Sequence, residues 1–165
     1  MKSSRRHDSL VPLSREHHYG LMVCLRIHRG LPIHRDDRLW LERKREQAIQ
    51  FFESDLLPHF KAEEEILFPS MQTFAGASGL ISELLFEHDK MRLVVETLRD
   101  AKQDELPSLL SVFADLLESH IRKEERQLFP IYEQQATEEI ASAVERAIID
   151  LIGTAMRPKN PDLLK

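Results

Sequence analysis

The chain is poor in several residue types, and each shortage excludes a class of protein. Cys24 is the only cysteine among 165 residues, which excludes an intrachain disulfide and a thiolate metal site. Glycine occurs five times and tyrosine twice, while Leu, Glu and Arg are common, and this composition favours helices. No apolar run is long enough to span a membrane, and no apolar stretch of a secretory signal follows the first charges. We therefore expect a cytoplasmic protein with no membrane partner.

The charge pattern gives no sign of a nucleic-acid partner. The formal net charge is -5, and acidic and basic residues are interleaved along the chain. A nucleic-acid-binding domain usually carries a basic face, so we expect none here. The short basic start, with Lys2, Arg5 and Arg6, is expected to be a frayed terminus.

Helix start and stop signals divide the chain into five predicted helices. Pro58 lies inside the second of them and predicts a kink or a break there. The predicted helices are residues 14–29, capped by Ser14 and ended by Gly30 and Pro32; from Asp36 and Asp37 to about Phe68; 80–102; from Pro107 through Leu128; and from Thr137 to near Gly153.

No segment resembles a strand, so the predicted fold is all-α. Four helices joined by short connections predict an up-down-up-down four-helix bundle, with the last helix as an additional C-terminal element. The predicted organisation is a metal-binding bundle over 10–135, an accessory helix over 136–155 and a loose tail over 156–165. The apolar positions expected to form the core are Phe52, Leu56, Leu67, Phe113, Leu117, Leu128 and Phe129.

The chain repeats a pair of motifs. Residues 13–17 and 84–88 share Leu-x-x-Glu-His, and residues 59–69 and 120–130 share His-x-x-x-Glu-Glu-x-x-Leu-Phe-Pro. Each half of the chain therefore carries both motifs in the same order. In an up-down bundle a pseudo-two-fold axis would relate the two halves and bring four His towards one central region.

The repeated spacing predicts a metal site. Residues four apart on a helix point the same way, so His59 lies beside Glu63 and His120 beside Glu124. Together with one His from each of the other two helices, this makes four imidazoles and two carboxylates. Such a nitrogen and oxygen set suits Fe or Mn, and also Zn or Cu. Two carboxylates among four imidazoles imply two bridged metals with two His each.

A single His four residues before an acid is weak evidence. With 28 acids in 165 residues, chance gives this spacing about one time in six, and a plain helix-surface pair explains most cases. Here the other six His all lack it, and only the two that precede Leu-Phe-Pro have it. The matching positions within a repeat make a shared function the better interpretation, because a helical core has no other reason to bury four His and two Glu together.

The four motifs resemble those of the hemerythrin-like, or HHE cation-binding, family, over about residues 10–135. The resemblance implies a four-helix bundle with two non-haem iron ions, although Mn or Zn would also suit the ligand set. Transferred residue by residue, it implies Glu63 and Glu124 as bridging carboxylates. His17 is favoured over His18 because Glu16-His17 aligns with Glu87-His88. The implied metal ligands are His17, His59, Glu63, His88, His120 and Glu124.

One position departs from the oxygen-carrying members of that family. Those members carry His-x-x-x-His on the third helix, whereas this chain has Arg92 in place of the second His. Arg stays protonated and does not ligate, so one metal has one His fewer and a more open site. Open positions favour reaction with O2, peroxide or NO over reversible O2 carriage. Arg92 is expected either to point to the site and pair with a carboxylate or to form an exposed salt bridge.

Three functions therefore follow from the sequence. The first is a di-iron protein that binds or responds to O2, NO or iron, as the resemblance implies. The second is a di-iron peroxidase or oxidase that uses the open position. The third is a helical interaction module with a vestigial site. The sequence does not identify the redox partner.

Overall fold

The structure, a computed structural model, describes residues 6–153 and is built from five helical rods within that range. A 3-10 turn (Asp8–Leu10) leads into α1 (Val11–His34); α3 is Ala77–Asp100 and α5 is Glu138–Ile152. The second rod, α2, covers 38–70, and the fourth, α4, covers 106–135. Residues 6–153 include no strand, so the all-α prediction is confirmed, while the up-down order and the domain division stay predictions. The predicted tail at 156–165 lies outside the described residues.

The predicted bounds of the first helix were wrong at both ends. The helix begins at Val11 with Pro12 in its first turn, and it continues past Gly30 and Pro32 to His34. Gly30 lies inside the helix instead of ending it. Its lack of a side chain permits a close approach between α1 and α2. A Cβ built on Gly30 would lie 2.1 Å from Cζ2 of Trp40. A glycine in a helical pattern can therefore serve packing instead of termination.

Three π-helical turns widen the rods, and each ends two residues before a proline. The turns are Phe52–Leu56 and Glu63–Leu67 in α2, and Glu124–Leu128 in α4, and they precede Pro58, Pro69 and Pro130. Proline has no N–H and its ring clashes with the carbonyl four residues earlier, so a wider turn lets the helix continue. Of the kink or break predicted at Pro58, the break is therefore absent, because the helix continues there after a widened turn.

The predicted signals near the start of α4 and at both ends of α5 agree with the structure, whereas α3 spans Ala77–Asp100 instead of 80–102 and α4 continues beyond Leu128 to 135. Pro107 lies in the first turn of α4, as expected. The Thr137 side chain accepts a hydrogen bond from the Ile140 N–H at 3.3 Å and caps α5, which ends at Gly153 with a φ of 86°. All seven predicted core residues are buried. Among residues 6–153, no helix combines the length and the apolar character that crossing a bilayer needs.

Among the described residues, the buried apolar side chains form two clusters. One cluster includes Cys24, Leu56 and Phe113, and the other includes Leu67, Phe129 and Val144 of α5. The predicted ligand positions belong to neither cluster, although the same rods contribute to both. This arrangement encloses a polar set of side chains within apolar protein and limits the access of water to it.

Candidate metal centre

Six buried polar residues form a layer inside the bundle. Each of the four long rods contributes at least one His, because the shared motifs place them at equivalent helical positions. All six are at most 3% exposed, and they are the six positions predicted from the sequence: His17, His59, Glu63, His88, His120 and Glu124.

The layer divides into two overlapping groups of four. In one group, ligand atoms of His17, His59, Glu63 and Glu124 all lie within 4.8 Å of one another. In the other group, ligand atoms of Glu63, Glu124, His88 and His120 likewise all lie within 4.8 Å of one another. Each group therefore has two His of its own, and both groups share the two carboxylates.

The imidazole nitrogens converge in pairs. Nε2 of His17 lies 3.0 Å from Nε2 of His59, and Nε2 of His88 lies 3.1 Å from Nε2 of His120. Two nitrogens bound at a right angle to one metal, each about 2.1 Å from it, would be about 3.0 Å apart. The residues therefore fit one metal ion at each pair.

The two shared carboxylates face both pairs of imidazoles. Oε1 of Glu63 is 2.9 Å from Nε2 of His59, and its Oε2 is 3.3 Å from Nε2 of His88. Oε2 of Glu124 lies 3.1 Å from Nε2 of His17. Among the described residues, none of the four carboxylate oxygens has a hydrogen bond of normal geometry, which is rare for buried carboxylates. This donor set fits carboxylates that bridge two cations.

A second carboxylate holds each imidazole by its other nitrogen. The Nδ1–H of each of these four His donates to a Glu at 2.7 to 2.9 Å, and its Nε2 faces the centre of the layer. The four pairs are His17 with Glu125, His59 with Glu16, His88 with Glu64 and His120 with Glu87.

These pairs account for the four acids of the repeated motifs that lie outside the buried layer. Glu16 and Glu87 each precede a His of the layer in sequence but accept from a different His of the layer, on another helix. Sequence reasoning missed their role, although Leu-x-x-Glu-His contained the signal. Glu64 and Glu125, the acids five residues after His59 and His120, accept from His88 and His17.

Further side chains hold the outer carboxylates. Arg92 donates to Glu64 at 2.7 Å and to Asp89 at 3.0 Å, so it pairs with a carboxylate beside the site. Glu125 accepts from the hydroxyl of Ser14 at 2.6 Å and from Arg6. Arg6 therefore contacts an outer carboxylate, so the prediction of a frayed terminus is wrong for Arg6, while Lys2 and Arg5 lie outside the described residues.

The carboxylates stabilise positive charge in the layer. Burial alone would lower the pKa of His59, but Glu63 and Glu16 outweigh it and raise the pKa to about 9. Burial likewise opposes charge on His88, yet Glu63 and Glu64 raise its pKa to about 9. The pKa of His17 is also raised, because Glu124 and Glu125 outweigh its burial. Such a set of acids fits a site for cations.

The remaining His lie away from the centre. His18 is exposed, which agrees with the choice of His17. Nε2 of His28 lies 3.5 Å from Asp115 and 3.4 Å from Glu118, outside the layer. His34 stacks on Trp40 with 5.2 Å between the ring centroids.

Comparison with known proteins agrees with this geometry. The chain is 31% identical over 115 residues to the iron-sulfur cluster repair protein YtfE of Dickeya chrysanthemi, covering 61% of this chain and 48% of that protein. It is 34% identical over 77 residues to a DNA nickase of Nostoc sp., covering 46% of this chain and 22% of that one. The chain thus spans at most about half the length of these relatives, and no solved structure matches. The model of the hemerythrin HHE cation binding domain matches residues 10–132, so the chain belongs to that family.

Proposed function

We propose that the chain holds two iron ions in the polar layer and binds a small ligand such as O2, NO or peroxide at them. The observation that carries this proposal is the sharing of Glu63 and Glu124 by both groups of candidate ligands. Two separate single-metal sites would not need common carboxylates. Iron-binding is the function that family membership and the YtfE relative support.

Each residue of the layer has a role in this proposal. His17 and His59 hold one ion, His88 and His120 hold the other, and Glu63 and Glu124 bridge the two. Iron held in this way keeps coordination positions open to a small ligand and exchanges electrons with it. Mn and Zn suit the same donors, so the ion is identified by loading and analysis.

The rest of the chain prepares the donors. The outer carboxylates fix each imidazole in the tautomer whose Nε2 can bind a metal, and Arg6, Ser14 and Arg92 hold two of those carboxylates in turn. The apolar clusters limit water entry. Fixed donors and a dry surrounding raise affinity, because little reorganisation accompanies binding.

Iron content tests the proposal. Protein loaded anaerobically with Fe(II) and gel-filtered is expected to retain close to two Fe per chain. The double variant His59→Ala, His120→Ala is expected to lose them, while the matched control His18→Ala, His28→Ala keeps them, since those His lie outside the layer. Equal iron in both variants would contradict the site, and a wild type that retains no iron would favour a helical module without a metal function. Turnover of a reductant with O2 or peroxide would favour the oxidase or peroxidase alternative.

Iron donation is a second candidate function. The relative named as an iron-sulfur cluster repair protein favours it. Mixing the iron-loaded protein with an apo iron–sulfur protein and sulfide would then rebuild the cluster faster than the same amount of free Fe(II). An equal rate would remove this candidate. The nickase match covers too little of that protein to suggest an action on DNA.

A further inference from the structure

We propose that an oxyanion of the phosphate class binds between α1 and α2, and that Lys44, Arg26 and Arg43 hold it. The position lies apart from the polar layer, since Lys44 comes fifteen residues before His59 on α2. Anion binding there goes beyond the proposed function and does not depend on iron.

The stretch 26–45 has a charge opposite to that of the whole chain. It contains seven Arg or Lys and three Asp or Glu, which gives it a formal charge of +4, whereas the whole chain carries -5. The acids in the rest of the chain hide this local excess of bases. An excess of positive charge raises the concentration of anions at this end of α1 and α2.

Lys44 is a buried cation without an acid beside it. It is 3% exposed, and a Lys is almost never buried to this extent unless it is paired. Its ammonium donates to Oε1 of Gln47 at 2.9 Å and lies 5.7 Å from the centre of the Trp40 ring, and both partners are neutral. Within residues 6–153 it forms no ion pair with a carboxylate. Moving a charge out of water without a counter-charge is costly, so the position favours an added anion.

Two arginines place further positive charge beside Lys44. Burial lowers the pKa of Lys44, and the charges of Arg43 and Arg26 lower it further. Both Arg are exposed, and neither forms an ion pair within the described part of the chain. The three cations repel one another, and an anion among them would replace this repulsion by attraction.

A small cavity reaches Lys44 between α1 and α2. The residues that line it are Val23, Arg26, Ile27, Lys44, Gln47 and Ala48. Its volume of about 10 Å³ accepts one group of the size of a water molecule. One oxygen of an oxyanion fills that space beside Lys44, and the other oxygens stay outside, where the exposed guanidinium groups of Arg26 and Arg43 can donate to them.

This shape and charge suit a phosphate group better than a carboxylate. A phosphate group carries about two negative charges near pH 7, on oxygens that point away from one another. The two oxygens of a carboxylate lie on one side and share a single charge. Guanidinium groups bind phosphate oxygens through parallel N–H donors, and an ammonium binds them as a point charge. A free phosphate ion and the phosphate ester of a small molecule share this chemistry.

Phosphate titration with a readout at Lys44 tests the site. The full chain loaded with Zn, which is diamagnetic, is titrated with inorganic phosphate at constant ionic strength, and the Cε resonance of Lys44 is followed by NMR. We expect saturable binding that raises the pKa of Lys44, because a bound anion stabilises the ammonium. Lys44→Met is expected to lose the binding. The absence of saturation at Lys44 up to about 10 mM phosphate would overturn the proposal.

Paired variants separate the site from a general attraction to positive charge. Arg26→Gln, Arg43→Gln removes two exposed charges, so it keeps the fold even if Lys44→Met does not, and it is expected to weaken phosphate binding at least about tenfold. The control Arg35→Gln, Arg38→Gln removes the same charge at exposed positions that neither line the cavity nor act on the pKa of Lys44. It should keep the affinity within about twofold. Equal weakening in the two double variants, or binding that neither of them changes, would overturn the proposal.

Glycerol phosphate identifies the source of the phosphate group. An affinity no higher than that of inorganic phosphate assigns the site to the free ion, whereas binding at least about tenfold tighter assigns it to a phosphorylated small molecule. Phosphate that binds only at metal ions in the polar layer would leave the Lys44 resonance unshifted, and that result would also overturn the proposal.

Discussion

The two halves of the layer have the same donors and different surroundings. His17 with His59 and His88 with His120 each have an outer carboxylate on every imidazole. Around these donors the halves diverge: Gly20 is opposite Met91 in the repeat, and Ile121 is opposite Phe60. Distances and charges constrain ligand positions tightly, whereas apolar positions need only fill space, so an internal repeat can change the packing around its donors while it keeps the donors themselves.

The largest expected effect comes from a residue that both halves share. Glu63→Gln keeps the shape of the side chain but removes the charge that faces both imidazole pairs. We expect both ions to be lost on gel filtration, measured as iron per chain. His59→Ala, which removes a donor of one half, is expected to lose chiefly one ion. Retention of one ion in Glu63→Gln would show that the halves bind independently.

The outer carboxylates give an intermediate effect. Glu125→Gln and Glu64→Gln remove equivalent charges beside His17 and His88, and each is expected to lower metal affinity about 10- to 100-fold. Competition with a chelator measures this. Glu65→Gln alters an exposed neighbour of Glu64 and should leave affinity unchanged. Effects of very different size in the two halves would mean that Arg6 and Ser14 support one half more than Arg92 supports the other.

A third expected effect concerns the packing of α1 on α2. These helices lie in the first half of the repeat, which has more residues between its two motifs than the second half has. Gly30→Ala places a Cβ against the Trp40 ring and is expected to lower the free energy of unfolding by about 1–3 kcal/mol. Gly79→Ala is the control, because nothing lies within 4 Å of its Cβ, and it should raise stability by at most about 1 kcal/mol. Urea denaturation of metal-loaded protein measures both, and equal stabilities would contradict the observed packing.

The smallest expected effect comes from replacing Cys24 by the residue at the equivalent position of the other half, Val95. The two residues lie seven positions after His17 and His88, and both are 1% exposed. Cys24→Val should change the free energy of unfolding by less than about 1 kcal/mol. Burial raises the pKa of the Cys24 thiol to about 12, so the folded protein keeps it protonated at pH 9, where an unfolded thiol of pKa about 8.5 ionises. Iodoacetamide should therefore react slowly in native buffer and rapidly in urea, and fast native reaction would contradict the burial.

The sequence was sufficient for the composition of the site, because the repeat marked the same positions twice. Helical spacing accounts for His59 beside Glu63, and alignment of the two motifs selects His17 over the exposed His18. The ligand roles themselves stay predictions, as do the cytoplasmic location and the absence of a nucleic-acid partner.

Contacts between helices could not be read from the sequence. Glu16 holds His59 and Glu125 holds His17 across the bundle, and helical spacing says nothing about pairs on different rods. Gly30 lies inside α1 and packs closely against Trp40, which belongs to another helix, so its role could not be read from the sequence of α1 alone. The π-helical turns before the prolines could not be predicted either. A proline indicates a disturbed helix, but it does not show whether the helix breaks or continues through a wider turn.

The most direct test of the central claim is an anomalous difference map of crystals of the iron-loaded protein, measured at the iron edge. The account predicts two peaks, one beside Nε2 of His17 and His59 and one beside Nε2 of His88 and His120, with Glu63 and Glu124 adjacent to both. A single peak, or peaks outside this layer, would contradict it.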